Sequence, residues 1–350
     1  MTRMIRQSMT AYATPLCETI VEAPEPRGTE VLVRISRCGV CHSDLHLHDG
    51  YFSLGGDRKL DVTAFRSLPF TLGHEIAGVV EKAGPDADAK AGTPAAVFPW
   101  IGCGECAACK AGEENLCAAP RHLGIQVDGG FATHVLVPHP RYLIEHGSLP
   151  ASLAGAYMCS GLTAFAALKR LTEHARRGPV LLVGLGGVGM MGLSFALALF
   201  PHKPIVADID VAKREAALKA GAAAAYDPAD PAARKALMRA TGGVAGAVDF
   251  AGTDGSLAFA TGSIAKGGKV VITGLIGGSF ATPIAMFPLK AMTIEGTMTG
   301  TLDEAREMMA LARAGKISPV PIIERPLSAA QASLDDLRAG RVVGRVVLVP

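Results

Sequence analysis

Four of the eight cysteines stand within fifteen residues, as Cys103, Cys106, Cys109 and Cys117 in the segment GCGECAACKAGEENLC. A C-x2-C-x2-C-x7-C spacing in a glycine-bearing loop lets four thiolates converge on one tetrahedral Zn²⁺. Four sulfur ligands leave no open position, so the chemistry expected there is structural: a metal that folds a lobe too polar to fold alone. The competing reading is a cluster of free or redox thiols. A disulfide framework belongs to small exported chains, and this one is large, with no apolar run behind its charged N-terminal segment MTRMIRQSMT.

A second concentration of reactive side chains is RCGVCHSDLHLHDG, with Cys38, Cys41, His42, Ser43, Asp44, His46 and His48. Cys38 and Cys41 could form a redox pair of thioredoxin type, which is expected at a helix start in a βαβ setting. Here an alternating strand, VLVRI, precedes them, and the histidines crowd what reads as a loop. Three histidines in seven residues beside a cysteine point to a metal or acid–base site. The fragment LPFTLGHEIAG adds His74 and Glu75 between apolar stretches.

The elements that must position these groups change character near residue 178. Short apolar strands then alternate with helical stretches: PVLLVG (179–184), PIVAD (204–208), a piece ending at Tyr226, GAVDFAG (246–252), KVVITG (269–274) and MTIEGT (292–297), with helical patterns such as Val211–Ala220 and Pro231–Ala240. Such alternation predicts a doubly wound parallel sheet covered on both faces. Its first strand runs into Gly184-Leu185-Gly186-Gly187-Val188-Gly189, where glycines permit a tight turn and close approach of a pyrophosphate to the helix start. Asp208, nineteen residues after Gly189, ends the next strand, where a carboxylate can accept both ribose hydroxyls of NAD. Dinucleotide binding follows. The stretch 178–201 is uncharged and long enough to span a bilayer, yet its glycines and the charged ADIDVAKRE behind it favour strand, turn and buried helix.

The 350 residues suggest two domains. With 49% apolar and 19% charged residues the chain can bury a core, and a net charge of +2 argues against a nucleic-acid or membrane-surface partner.

Taken together, GVCHSDLH (39–46), LGHEIAG (72–78), the four-cysteine lobe, MCSGLTAF (158–165), GLGGVG (184–189), VADID (206–210) and VGRVVL (343–348) resemble the zinc-dependent medium-chain alcohol dehydrogenases, in particular their tetrameric bacterial and archaeal branch, along nearly the whole chain. The resemblance implies a mostly β, GroES-like catalytic domain over 1–159 and 297–350, carrying a zinc lobe at about 100–118, and a Rossmann-type NAD-binding domain over 160–296. It implies two zinc ions per chain. The catalytic zinc would be held by Cys41, His74 and Cys159, a Cys₂His set known for alcohol dehydrogenase, and the structural one by Cys103, Cys106, Cys109 and Cys117. Ser43 would take the alcohol proton and pass it toward the ribose and His46 to solvent, Asp44 would orient His74, and Glu75 would lie close behind the metal. His42 and Arg345 would meet the pyrophosphate, Thr163 the nicotinamide, and Asp208 the ribose. Lys213, with Arg214 just downstream of Asp208, adds positive charge that could face a 2′-phosphate, so the choice of NAD rests on Asp208 outweighing it.

The implied activity is reversible hydride transfer between a primary or secondary alcohol and NAD, giving an aldehyde or ketone. Polyol dehydrogenases and cinnamyl-alcohol-type carbonyl reductases are the near alternatives, and a non-enzymatic relative is the distant one. The implied partners are a small-molecule substrate and further copies of the chain, a tetramer before a dimer, in the cytoplasm. Two departures stand out. Gly92-Thr93-Pro94-Ala95 replaces the family's usual Gly-Asp-Arg-Val turn, which could loosen the lobe's base, and 51–68 is longer than in the shortest members, placed near the pocket mouth. Trp100, the only tryptophan, matches a position near the substrate pocket.

Overall fold

A computed structural model describes residues 2–350. Two sheets carry most of the architecture. The six-stranded parallel sheet is built from Val180–Val183, Ile205–Ala207, Ala224–Tyr226, Val244–Asp249, Ile264–Ile272 and Thr293–Gly296. Its spatial order places Ala224–Tyr226 at one edge and Thr293–Gly296 at the other, with Val180–Val183 in the centre beside Val244–Asp249. This is the doubly wound order in which ligands bind at the carboxyl ends of the central strands. The uncharged 178–201 stretch supplies the central strand, a glycine turn and the helix Gly187–Leu199. All four residues of Val180–Val183 are buried, because helices cover both faces of the sheet.

The other sheet is mostly antiparallel. Val31–Gly39 lies at its centre, paired with Glu75–Ala83, with His134–Val137 and with the C-terminal strand Arg345–Val349. Arg345–Val349 also runs parallel to Ile322–Pro326, so the chain's last strand joins the sheet that its first third begins. The turn at Gly92–Ala95 is closed by backbone bonds: Gly92 N–H donates to Val80 O at 2.8 Å and Val80 N–H to Thr93 O at 2.9 Å.

A continuous helical stretch, Ala151–Lys169, packs on this sheet. It is long and apolar enough to cross a membrane, yet 89% of its apolar window is buried inside the protein, which makes it a core helix. A Cβ on Gly155 would lie 2.7 Å from Glu75 O, so glycine at this position lets helix and strand close to backbone contact. Within the stretch, Tyr157–Gly161 forms a π-helical turn. Such wide turns concentrate at functional sites, and this one contains Cys159.

Candidate functional site

The segment expected as a histidine-rich loop is a helix, His42–Asp49. Cys41 caps it in extended conformation, and Asp44 in the first turn accepts the Cys41 N–H through Oδ2 at 2.8 Å, an acid placed where the helix dipole favours it. Gly50 ends the helix with φ of +83°, its N–H returning to His46 O. The pattern was concealed because HSDLHLHD is short and polar, while its cap is a cysteine rather than serine or threonine. His46 thus stands one helical turn beyond His42, with the two rings 5.4 Å apart and His46 stacked against Phe52 at 4.7 Å. His48 points elsewhere: its Nε2 lies 2.7 Å from Thr14 O.

Cys41, His74 and Cys159 are all buried, and their donor atoms lie within 4.8 Å of one another. The two sulfurs are 3.9 Å apart; two thiolates about 2.3 Å from one tetrahedral zinc stand roughly 3.8 Å apart. His74 Nε2 is buried without a protein partner, and Nδ1 lies 3.2 Å from Asp44 Oδ1 outside hydrogen-bond geometry. A buried imidazole nitrogen flanked by two sulfurs, with an acid behind its other nitrogen, has the chemistry of a zinc ligand. The thiol of Cys159 holds Cys41 well below the usual cysteine range, with burial opposing. Burial acts to lower His74, and Asp44 overrides it and raises the ring well above the ordinary value. Cys38, the other half of the C-x-x-C, stays outside the set; burial pushes its thiol up and its sulfur faces Gly39 O. The redox-pair reading thus has no support in the geometry.

The four lobe cysteines also converge within 4.8 Å, with Sγ–Sγ separations of 3.9 Å (Cys103–Cys109) and 3.8 Å (Cys106–Cys117). Backbone N–H groups aim at these sulfurs: Cys103 N donates to Cys117 Sγ at 3.2 Å and Cys106 N to Cys103 Sγ at 3.4 Å. Amides of Glu105 and Cys106 hold the Cys103 thiol down to about 6. The lobe is fastened by Glu114, whose Oε2 accepts from Tyr142 Oη at 2.6 Å and from Gly102 N at 3.0 Å.

Behind the buried ligand set, Glu75 accepts from Ser160 Oγ at 2.5 Å and from the Arg345 guanidinium at 2.5 Å. Burial raises the Glu75 carboxyl, with Arg345 opposing. Arg345 in turn lies against the dinucleotide turn, since a Cβ on Gly187 would meet its Cδ at 2.8 Å.

One cavity of about 1,010 Å³ joins these parts. Its walls include Cys41, Ser43, His46 and Cys159 at one end, His42, Thr163 and Arg345 between, and Gly184, Gly186, Gly187, Val188, Gly189, Asp208 and Lys213 at the other. His74, Glu75 and Asp44 stand behind the wall and do not line it. The glycine turn fits a pyrophosphate cradle. Gly184 has φ of +88°, a Cβ on Gly189 would stand 1.8 Å from Gly184 O, and Gly186 faces open space. Asp208 accepts from Leu185 N at 2.6 Å and Asp210 N at 2.9 Å. Of the two downstream bases, Arg214 is held by Asp208 O and Asp227, and Lys213 stands 3.9 Å from Asp210.

Residues not assigned a role from the sequence complete the cavity. Phe52 and Phe65 come from the 51–68 segment, which folds into the hairpin Tyr51–Ser53 and Lys59–Asp61 followed by a short turn. Trp100, its Nε1 donating to Met158 O at 2.8 Å, contributes a wall together with Asn115, Leu116, His122, Met298 and Thr299. No spacing signal marks these positions, because they come from four separate segments that only the fold brings together.

Comparison with known proteins agrees with this geometry. Residues 27–147 match the family described as alcohol dehydrogenase GroES-like domain, and residues 187–314 match zinc-binding dehydrogenase. An NAD-dependent alcohol dehydrogenase of Sulfurisphaera tokodaii is 34% identical over 96% of this chain and 97% of its own length. The crystal structure of the alcohol dehydrogenase of Aeropyrum pernix is 29% identical, with a TM-score of 0.85 over 99% of this chain and 100% of that one. The D-arabinose dehydrogenase structure from Sulfolobus solfataricus is 26% identical, with a TM-score of 0.85 over the full length of both chains. A fold of GroES-like and Rossmann domains, a buried Cys₂His set, a four-thiol lobe and a dinucleotide turn therefore place this chain in the zinc-dependent medium-chain alcohol dehydrogenase family.

Proposed function

We propose that this protein oxidises a primary or secondary alcohol to an aldehyde or ketone with NAD, reversibly, and that the residue roles implied by the family hold in this chain. The observation that carries the reading is that a buried Cys₂His set and a dinucleotide cradle open into one cavity. Zinc held by Cys41, His74 and Cys159 would supply a Lewis acid, and NAD on the glycine turn would supply a hydride acceptor.

The chain's own residues do the rest. Cys41, His74 and Cys159 hold the metal, and Asp44 fixes the His74 ring from behind while tying down the Cys41 amide. Ser43 removes the alcohol proton and His46 passes it to solvent. Burial, with His42 nearby, lowers the His46 ring below its ordinary value, so it is neutral and able to accept near pH 7. Gly184 to Gly189 with Val188, His42 and Arg345 receive the pyrophosphate, Thr163 neighbours the nicotinamide, and Asp208 accepts from the ribose while Lys213 stands at the rim. Cys103, Cys106, Cys109 and Cys117 hold the structural zinc.

The domain boundaries proposed are 1–159 with 297–350, and 160–296. The pairing of Arg345–Val349 with Val31–Gly39 supports them. A homo-oligomer is supported by the edge position of Thr293–Gly296 and by exposed Ile284 and Leu289 nearby in the chain, and the preference for a tetramer over a dimer rests on the resemblance to the tetrameric branch. A cytoplasmic location is supported by eight free cysteines, since thiol metal sites persist in a reducing compartment. Likeness to a D-arabinose dehydrogenase supports a polyol or sugar as a second reading of the substrate.

The test is a set of initial rates of NAD reduction by zinc-loaded protein with aliphatic, benzylic and secondary alcohols. Turnover lost in Cys41→Ser is expected; no NAD reduction with any of them would defeat the proposal.

A further inference from the structure

Three side chains on the cavity wall are buried without being satisfied. Asn115 is 3% exposed, His122 1% and Thr299 9%, and all three line the cavity. Asn115 Oδ1, both His122 ring nitrogens and Thr299 Oγ1 have no hydrogen-bond partner in the protein. Native proteins leave few buried polar atoms unpaired, because the loss on desolvation exceeds the net gain from a satisfied bond. The four atoms lie just behind the lining of one cavity, so a ligand group that draws these side chains toward it would complete them.

The three residues come from different parts of the chain, and two of them are tied together. Asn115 Nδ2 donates to Met298 O at 2.7 Å, tying the zinc lobe to the residue before Thr299. Thr299 has φ of +50°, a left-handed conformation that is costly for a β-branched residue and that collects at functional sites. The His122 ring stands 5.3 Å from Trp100, and Trp100 stands 5.6 Å from His74. The unsatisfied group is thus one indole away from the metal ligands. Imidazole turns broadly about its terminal torsion, so a modest rotation presents a ring nitrogen to the cavity.

The donor and acceptor inventory selects the ligand. Asn115 Oδ1 accepts, a neutral imidazole offers one donor and one acceptor, and the Thr299 hydroxyl does both. A hydroxyl, itself donor and acceptor, matches all three. Burial pushes His122 down to about 4, so the ring is uncharged near pH 7 and provides no cation for a carboxylate or phosphate. Trp100 and Leu116 also line this cavity and offer apolar surface suited to a carbon chain.

We infer that Asn115, His122 and Thr299 form a subsite for a second hydroxyl of the substrate, so that the enzyme prefers diols or larger polyols, one hydroxyl at the Cys41–His74–Cys159 centre and another on this wall. The inference rests on the alcohol-oxidation reading above.

The test compares 1-hexanol, 1,6-hexanediol and 6-hydroxyhexanoate on the zinc-loaded enzyme with NAD. The diol should exceed hexanol in kcat/KM by about tenfold or more, beyond the roughly twofold that two equivalent ends supply. The hydroxy acid should rank below the diol. Quenching of Trp100, the only tryptophan, should give the same order in binding, independently of turnover. His122→Leu and Thr299→Val should each bring the diol-to-hexanol ratio toward the statistical value; two variants guard against one failing to fold. A wild-type ratio near twofold, a ratio unmoved in the variants, or the acid as the tightest ligand would overturn the subsite while turnover of both alcohols left the reading beneath it standing. Absence of NAD reduction with any alcohol would overturn that reading and the subsite with it.

Discussion

Arg345 and Glu75, 270 residues apart in sequence, form an ion pair at 2.5 Å in which the side chains are 5% and 0% exposed. The pair spans from behind the metal set to the dinucleotide turn, because the Arg345 stem also packs on Gly187. Truncation to Arg345→Met leaves Glu75 charged, buried and unpaired, which typically costs about 3–5 kcal/mol. Denaturant unfolding should show that loss, and titration with NADH should show weakened binding. The pH dependence has a definite sign. Glu75 is already raised by burial, with Arg345 opposing, and losing Arg345 raises it further. A carboxyl raised in the folded state binds a proton that the unfolded chain releases, so the variant's deficit should be smallest at acid pH, where both proteins hold Glu75 protonated, and grow as pH rises past the already raised wild-type value. A pH-independent deficit would contradict this account.

The two metal sets should differ in lability. The lobe is closed by four thiols, whereas the Cys41–His74–Cys159 set has three ligands and opens to the cavity. Metal analysis should return two zinc ions per chain, and mild treatment with 1,10-phenanthroline should remove activity before it changes circular dichroism. Cys41→Ser should abolish turnover in a folded protein, while Cys106→Ser should lower Tm first. One zinc per active chain would count against the lobe assignment.

His46→Gln should retain its zinc and lose alcohol oxidation in a pH-dependent manner. The wild-type ring sits below its ordinary pKa, burial being the main cause, so it is deprotonated and working at pH 7 and fails only as pH falls through its lowered value. The variant must release the proton directly to solvent, which grows easier as pH rises. Its deficit should be greatest toward the acid side of the range in which the wild type still works, and should close at alkaline pH. Loss of zinc from this variant would instead make His46 a metal ligand.

Cofactor choice should follow Asp208. A 2′-phosphate would meet its carboxylate, and two unit charges at 4 Å repel by about 4 kcal/mol at an effective dielectric near 20. Half of that still exceeds a decade in affinity. Arg214 is already engaged with Asp208 O and Asp227, and Asp210 is the nearest acid to Lys213. NAD should therefore be preferred, and Asp208→Ser should reduce or reverse the preference while weakening NAD binding, because the same carboxylate braces the Leu185 amide. Equal kcat/KM for NAD and NADP in the wild type would refute the assignment.

Gly189→Ala offers a strictly steric test. The added Cβ would stand 1.8 Å from Gly184 O, and that oxygen is main chain, so the turn itself must move. NADH affinity should fall sharply with little effect on zinc content. Gly186→Ala, which meets no protein atom, should fold normally and lose affinity only through crowding of the cofactor.

Features encoded locally were legible in the chain alone. Cysteine spacing marked the lobe, GLGGVG with Asp208 marked the cofactor turn, and strand–helix alternation marked the parallel sheet, because each is a short-range pattern whose chemistry depends on neighbours in the chain. The family resemblance added the ligand trio, which lies on segments 33 and 85 residues apart and has no spacing of its own. The helix at HSDLHLHD also rests on local features, a cysteine cap braced by Asp44 and a left-handed Gly50 beneath a polar composition. Tertiary structure decided the remainder. It left Cys38 out of the metal set, because alternation along the strand turns its side chain to the packed face. It also gathered Trp100, Asn115, His122 and Thr299 onto one wall, a juxtaposition fixed by how the lobe, the sheets and the crossover at 297–299 pack, which no periodicity in the chain records.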